Sequence, residues 1–161
     1  MPSLGIDLCP PEGIFIPAGE DPPHAATLPI IKEKAEQVLE DDELVDAEEL
    51  AATDLEPGVY LYRVTAFWTT TRRHTGIKVA MEFTGSLRLT RYYVRDSSQA
   101  AVSNGEDFVT RGSVAPAVNW LTIDGLLVSE TKGDLKLLVA SENRHPVTLK
   151  TGSFLATELR S

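Results

Sequence analysis

The stretch from Asn119 to Ser161 constrains the fold more than any other part of the chain. Three apolar runs alternate here with two turn-like breaks. Trp120 to Val128 ends at Ser129-Glu130-Thr131-Lys132-Gly133, and Leu135 to Ala140 ends at Glu142-Asn143-Arg144-His145-Pro146. The third run goes from Val147 through Gly152 to Leu159. Leu135, Leu137 and Val139 share one face while Lys136 and Leu138 take the other, and Val147 and Leu149 alternate with Thr148 and Lys150. A period of two is the mark of half-buried strands. No cluster of acids, bases, nucleophiles or metal ligands sits in this stretch. It predicts an antiparallel sheet built to pack against something.

The residues before it extend the same pattern. Val59 to Trp68 is rich in aromatic and β-branched residues, which suit a pleated surface. Thr69 to Thr75 is a polar connection, Gly76 to Phe83 forms the next strand, and Leu87 to Val94 follows the break at Gly85. Asp96 to Asp107 is turn-rich, with Asn104-Gly105 as its strongest signal, and predicts an exposed loop. Phe108 to Val118 has room for one more short strand. Seven or eight strands with almost no helix predict a mainly β chain, an antiparallel sandwich or jelly roll.

Charge divides the chain in two. Residues 1–57 carry fifteen Asp and Glu against two Lys and Arg, and residues 58–161 carry nine against thirteen. An acidic appendage on a mildly basic body is expected, with the domain spanning 58–161. Phosphate neutralisation needs clustered Lys and Arg. Arg72-Arg73-His74 is the one basic cluster and reads as a solvated hairpin end, so no nucleic-acid partner is expected. No run of about 18 apolar residues occurs, so no membrane insertion is expected. Met1 to Cys9 lacks the basic and apolar regions of a secretory signal, and the lone Cys9 has no partner for an internal disulfide. Both point to a chain made in a reducing cytosol.

Residues 1–26 read as an extended arm. Pro2, Pro10, Pro11, Pro17, Pro22 and Pro23 remove backbone donors, with Gly5, Gly13 and Gly19 between them. Ile6, Leu8, Ile14, Phe15 and Ile16 are too apolar for a free solvated tail. They predict docking on the chain's own body, a sister copy or a neighbouring protein, with another chain favoured.

Residues 27–57 read as an acidic helical linker. A helix is predicted from Thr27 to about Glu40, capped by Thr27, with Pro29 in its first turn. Leu28, Ile31, Ala35 and Val38 then follow the a/d spacing of a short coiled-coil seam. The seam could bundle with copies of itself or lie on its own sheet. A second, weaker helical pattern falls at Leu44, Val45, Ala47, Leu50 and Ala51. The carboxylates Asp41, Asp42, Glu43 and Asp46 lack the alternation and central Gly of a calcium loop and read as a solvated face.

One resemblance covers Gly58 to Ser161. The strand Tyr60 to Trp68 precedes a Thr-rich turn and Thr75-Gly76-Ile77-Lys78-Val79-Ala80-Met81. Asp124-Gly125-Leu126-Leu127-Val128, Gly133-Asp134-Leu135-Lys136-Leu137 and Val147-Thr148-Leu149-Lys150-Thr151-Gly152-Ser153-Phe154-Leu155 follow in order. This order resembles the small jelly-roll modules of tailed-phage virion proteins, similar in architecture to the complement and tumour-necrosis-factor jelly rolls. Asp134 stands where those modules have a small or hydroxyl residue, and the Arg144-His145 loop is more charged than theirs. The resemblance implies a homotrimeric virion component, made in the host cytoplasm, that docks on other virion structural proteins through its arm and helix. A minor tail protein or short fibre is the expected placement, with capsid decoration as the alternative.

Catalytic and metal chemistry find little support in the residues. His24, His74 and His145 lack metal-ligand spacing, and Ser103, Ser113 and Ser153 form no recognisable triad motif. No cofactor is expected. A glycan or host-surface receptor is a further candidate partner, since Trp68, Tyr92, Tyr93 and Trp120 would stack on sugars if exposed. The loops that carry Arg72, Arg73, Asn104, Arg144 and His145 are the expected recognition surface.

Overall fold

The computed structural model describes residues 25–26, 29–96, 100–103, 109–112 and 117–160, and these contain strands and no helix. In chain order the strands are β1 (Ala25–Ala26), β2 (Ile30–Ile31), β3 (Gln37–Leu39), β4 (Val45–Leu55), β5 (Gly58–Thr70), β6 (Ile77–Phe83) and β7 (Leu87–Arg95). They continue with β8 (Ala100–Ser103), β9 (Val109–Arg111), β10 (Asn119–Ser129), β11 (Gly133–Ser141), β12 (Val147–Leu149) and β13 (Phe154–Leu159). All pairings are antiparallel, in a nine-stranded sheet and a four-stranded sheet.

The pairings are nested. β1 and β2 run along β13, and β3 runs along β12, so the first and last segments form one interrupted pair. Inside it β4 pairs β11, then β5 pairs β10, and finally β6 pairs β9. Successive pairs fall in alternate sheets, and the β7–β8 hairpin is added on the free side of β10. The chain is one long hairpin wrapped across two sheets.

Burial follows the alternation that predicted the strands. On β5, Tyr60, Tyr62, Val64, Ala66 and Trp68 point inward, and on β10 Leu121, Ile123 and Leu127 do. Ile77, Val79 and Met81 of β6 and Leu135, Leu137 and Val139 of β11 meet them from the smaller sheet in one continuous core. The third C-terminal run, expected as one strand, is broken between β12 and β13. Ser153 holds the break: its buried Oγ accepts from the Phe67 amide at 3.0 Å and donates to the Lys150 carbonyl at 2.8 Å. The loop expected from Asp96 to Asp107 also contains a strand, β8, paired with β7.

The acidic helical linker is corrected. Ile30–Ile31 and Gln37–Leu39 are strands, because the edges of β13 and β12 offer them a ladder. Leu39 is buried while Val38 is exposed, a strand's alternation and not a helical seam. Thr27 and Leu28 lie outside the described residues. The second helical pattern is β4. Its ladder with β11 shifts register twice, and Glu49 and Asp54 take left-handed φ values of 69° and 57° there. Such bulges put Ala47 and Leu50, three apart, on one face and so imitate helical spacing. Residues 45–55 are therefore part of the sandwich, and the boundary expected at 57/58 falls between two of its strands.

Gly125 of β10 lies between Tyr62 of β5 and Tyr92 of β7, all facing the core. The Tyr62 hydroxyl is buried without a hydrogen-bonding partner; Thr90 lies near but not in bonding geometry. Burial raises its pKa well above the ordinary phenol value of 10.0. The folded chain therefore keeps this proton after the unfolded chain has lost it, and stability falls as pH rises past 10. Tyr62→Phe is expected to leave stability at neutral pH unchanged or slightly higher. It should also flatten the alkaline decline in urea-unfolding midpoints between pH 9 and about 11. An unaltered alkaline slope would contradict this account.

Candidate functional site

Residues of opposite parity build the outer face of the larger sheet. β5 presents Val59, Leu61, Arg63, Thr65 and Phe67, and β10 presents Trp120, Thr122, Asp124, Leu126 and Val128. The register aligns them in rows. Trp120 lies beside Phe67, and Thr65 stands between Thr122 and Phe154, with Ile31 beyond. Leu126 is flanked by Leu61 and Arg91, and Val128 by Val59 and Leu89. Leu61 is 41% exposed, Trp120 43% and Tyr93 53%. A one-sided sheet normally turns polar residues to water. This one turns out aromatic and aliphatic residues over several adjacent strands, the kind of patch that marks an interaction surface.

A charged strip crosses the patch. Asp124 accepts from Arg63 Nε at 2.6 Å through one carboxylate oxygen and from Arg95 Nη2 at 2.8 Å through the other. That hydrogen bond, together with the carboxylate's charge, raises the pKa of Arg63 above its ordinary value. Asp124 faces two guanidiniums; one row away Arg91 adds a third and Glu158 a second carboxylate, which Arg160 pairs at 2.8 Å, so the strip is net basic. Beside it, Leu61, Tyr62, Arg63, Asp124, Ala156, Thr157 and Glu158 line a shallow depression of about 370 Å³.

The recognition loops expected from the sequence meet at one end of the sandwich. Arg72, Arg73 and His74 lie on the exposed β5–β6 turn, and Arg144 and His145 on the β11–β12 turn. Arg72 Nη1 is 3.3 Å from His145 Nδ1, and Asn143 Nδ2 donates to the His74 carbonyl at 3.1 Å. An arginine only donates, so His145 Nδ1 accepts, which places the proton of the neutral ring on Nε2. Arg144 donates to Asp42 at 3.0 Å and holds that carboxyl below its ordinary range. These loops thus spend much of their polarity on one another. Asn104 is outside the described residues.

Three of the expected docking residues fall within the described part. Ile31 and Val38 are exposed on the edge strands, and Ala35 lies in the connection between them. Leu28, Ile14, Phe15 and Ile16 lie outside the described residues. Of the four aromatics weighed for stacking, Trp68 and Tyr92 are buried, whereas Tyr93 and Trp120 are exposed on the outer face. Leu61, Leu89, Leu126 and Phe154 were not singled out by the sequence reading. For three of them a signal was present: Leu61 in Tyr60-Leu61-Tyr62, Leu126 in Leu126-Leu127-Val128 and Phe154 in Phe154-Leu155 lie in continuous apolar runs, as in strands covered on both faces. Among the described residues no three His, Cys, Asp or Glu side chains are grouped to hold a metal ion. Among the described residues no helix is long and apolar enough to cross a membrane.

Comparison with known proteins finds no matching family model, no similar curated protein and no similar solved structure.

Proposed function

We propose that this chain is a non-enzymatic structural component of a phage virion, a jelly roll that assembles as a homotrimer through the outer face of its larger sheet. The nested pairs in alternate sheets support the jelly-roll reading, since that fold is a long antiparallel hairpin wrapped into two sheets. The resemblance of its strand sequences to tailed-phage virion modules supports the virion setting. A minor tail protein or short fibre is the placement we favour, with capsid decoration as the alternative. The arm attaches the assembly to other virion proteins or to its own copies. The helix expected to share this task is replaced by edge strands.

The observation that carries the assembly reading is the outer face itself. It holds apolar residues on five strands of the larger sheet, where a solitary domain would be polar. Leu61→Asp is the test. Leu61 lies on this face and outside the core, so the variant should fold with a melting temperature within a few degrees of the native chain. Its mass by sedimentation should fall from oligomer to monomer. An unchanged oligomer mass would remove the face from the interface.

Glycan or receptor binding is a second reading, favoured by the exposure of Tyr93 and Trp120 on the same surface. The two readings separate in the Leu61→Asp monomer, which would keep a sugar site while losing a subunit contact.

A further inference from the structure

Residues 1–24 and the outer face of the larger sheet are chemically matched. The arm is apolar at Ile14-Phe15-Ile16, carries Asp7, Glu12, Glu20 and Asp21, and contains no Lys or Arg. The face mixes apolar residues with Arg63, Arg91 and Arg95 against Asp124, and its second carboxylate, Glu158, is paired with Arg160 at 2.8 Å. Opposite charge set in apolar surroundings gives both attraction and register. The arm's prolines suit this contact. They remove the donors that adding a strand to a sheet edge would need, whereas a sheet face is met through side chains alone.

The point where the arm joins the sheet indicates which copy it covers. Ala25 pairs with Leu159, and Leu159 with Tyr60, so the arm enters at the outer edge of the sheet and at one end of it. The Trp120–Phe67 row lies toward the other end, about 23 Å away at ~3.3 Å per residue. β1 runs in the same direction as β5, so Ala25 is approached from beyond the Gly58 end of the sheet, away from the Trp120–Phe67 row. Fully extended, the arm reaches about 80 Å, enough to cross a neighbouring sheet.

We propose that residues 1–24 of one copy lie across the outer face of the larger sheet of a neighbouring copy, with Ile14-Phe15-Ile16 on its apolar positions. This rests on the reading of that face as a subunit interface and names the segment seated there.

Cys9 is the chain's only cysteine, so a nitroxide can be placed on the arm of the full chain, where it quenches tryptophan emission at short range. The difference between the native chain and Trp120→Phe isolates Trp120 on the face from Trp68 in the core. The Trp120 emission should fall several-fold in the labelled oligomer. It should recover in the labelled Leu61→Asp monomer and in the labelled Ile14→Ser, Phe15→Ser, Ile16→Ser chain. Quenching that persists in the monomer would place the arm on its own sheet and overturn the exchange. No quenching in an intact oligomer, from Cys9 or from a cysteine moved to Ala18, would overturn the arm contact while leaving the interface reading in place. A native chain that is monomeric at every concentration would remove the interface reading itself.

Discussion

Gly125→Ala is expected to destabilise the chain by about 3 kcal/mol, although it adds a single methyl group to a strand. A Cβ built at Gly125 would lie 2.0 Å from Tyr62 Cζ, 2.3 Å from its hydroxyl oxygen and 2.5 Å from Cε1. The ring crosses β10 at this position because glycine has no side chain there. Neither partner can yield easily. Tyr62 is enclosed in the core, and the adjacent Asp124 is tied to both flanking strands by Arg63 and Arg95. Alanine's better fit to a strand returns at most about 1 kcal/mol, so the clash decides the sign. Urea unfolding should show a lower midpoint with an unchanged slope. In a Tyr62→Leu background the same substitution should cost less than about 1 kcal/mol, because the atoms it meets are gone. An equal cost in both backgrounds would mean that β10 suffers for some other reason.

Lys32→Met is expected to cost about 2 kcal/mol while keeping most of the buried stem. Lys32 is fully buried, and its backbone bridges the gap between β2 and β3 by donating to the Ser153 carbonyl at 2.8 Å and accepting from the Gly152 amide at 2.9 Å. Its ammonium reaches across to the other sheet, donating to the Glu48 carbonyl at 3.2 Å and standing 3.6 Å from the Glu49 carboxylate. Glu49 in turn accepts the amides of Glu33 and Lys34, and these contacts lower its pKa. One cation thus ties the edge of the larger sheet to the bulge of β4. Methionine leaves the carbonyl and the carboxylate facing an apolar group, the costly half of a broken pair. Amide exchange at Glu33 and Lys34 should accelerate together with the loss of stability. A variant with native stability and native exchange would make Lys32 a passive filler.

The same two regions show how far the sequence could be read. The C-terminal strands and β5 to β7 were legible because their burial alternates with a period of two and their breaks carry turn residues. β4 was misread because its bulges at Glu49 and Asp54 break that period, and its Asp, Glu and Ala content favours helix over strand when read locally. Ile30–Ile31 and Gln37–Leu39 are too short to show any period and become strands through the ladder offered by β12 and β13. A partner distant in sequence settles their structure. The candidate surface was the least legible part. Leu61, Leu126 and Phe154 interrupt an ideal alternation, and only the register places them, with Tyr93 and Trp120, on one face. The aromatics could be named from the chain, but which two of the four are exposed depends on sheet pairing.

We propose that the outer face of the larger sheet is covered by further copies of this chain. The most direct test of this proposal is the solution mass of the full chain by light scattering over a wide concentration range. The expected result is three times the chain mass, falling toward one chain mass on dilution. A single-chain mass throughout would contradict it.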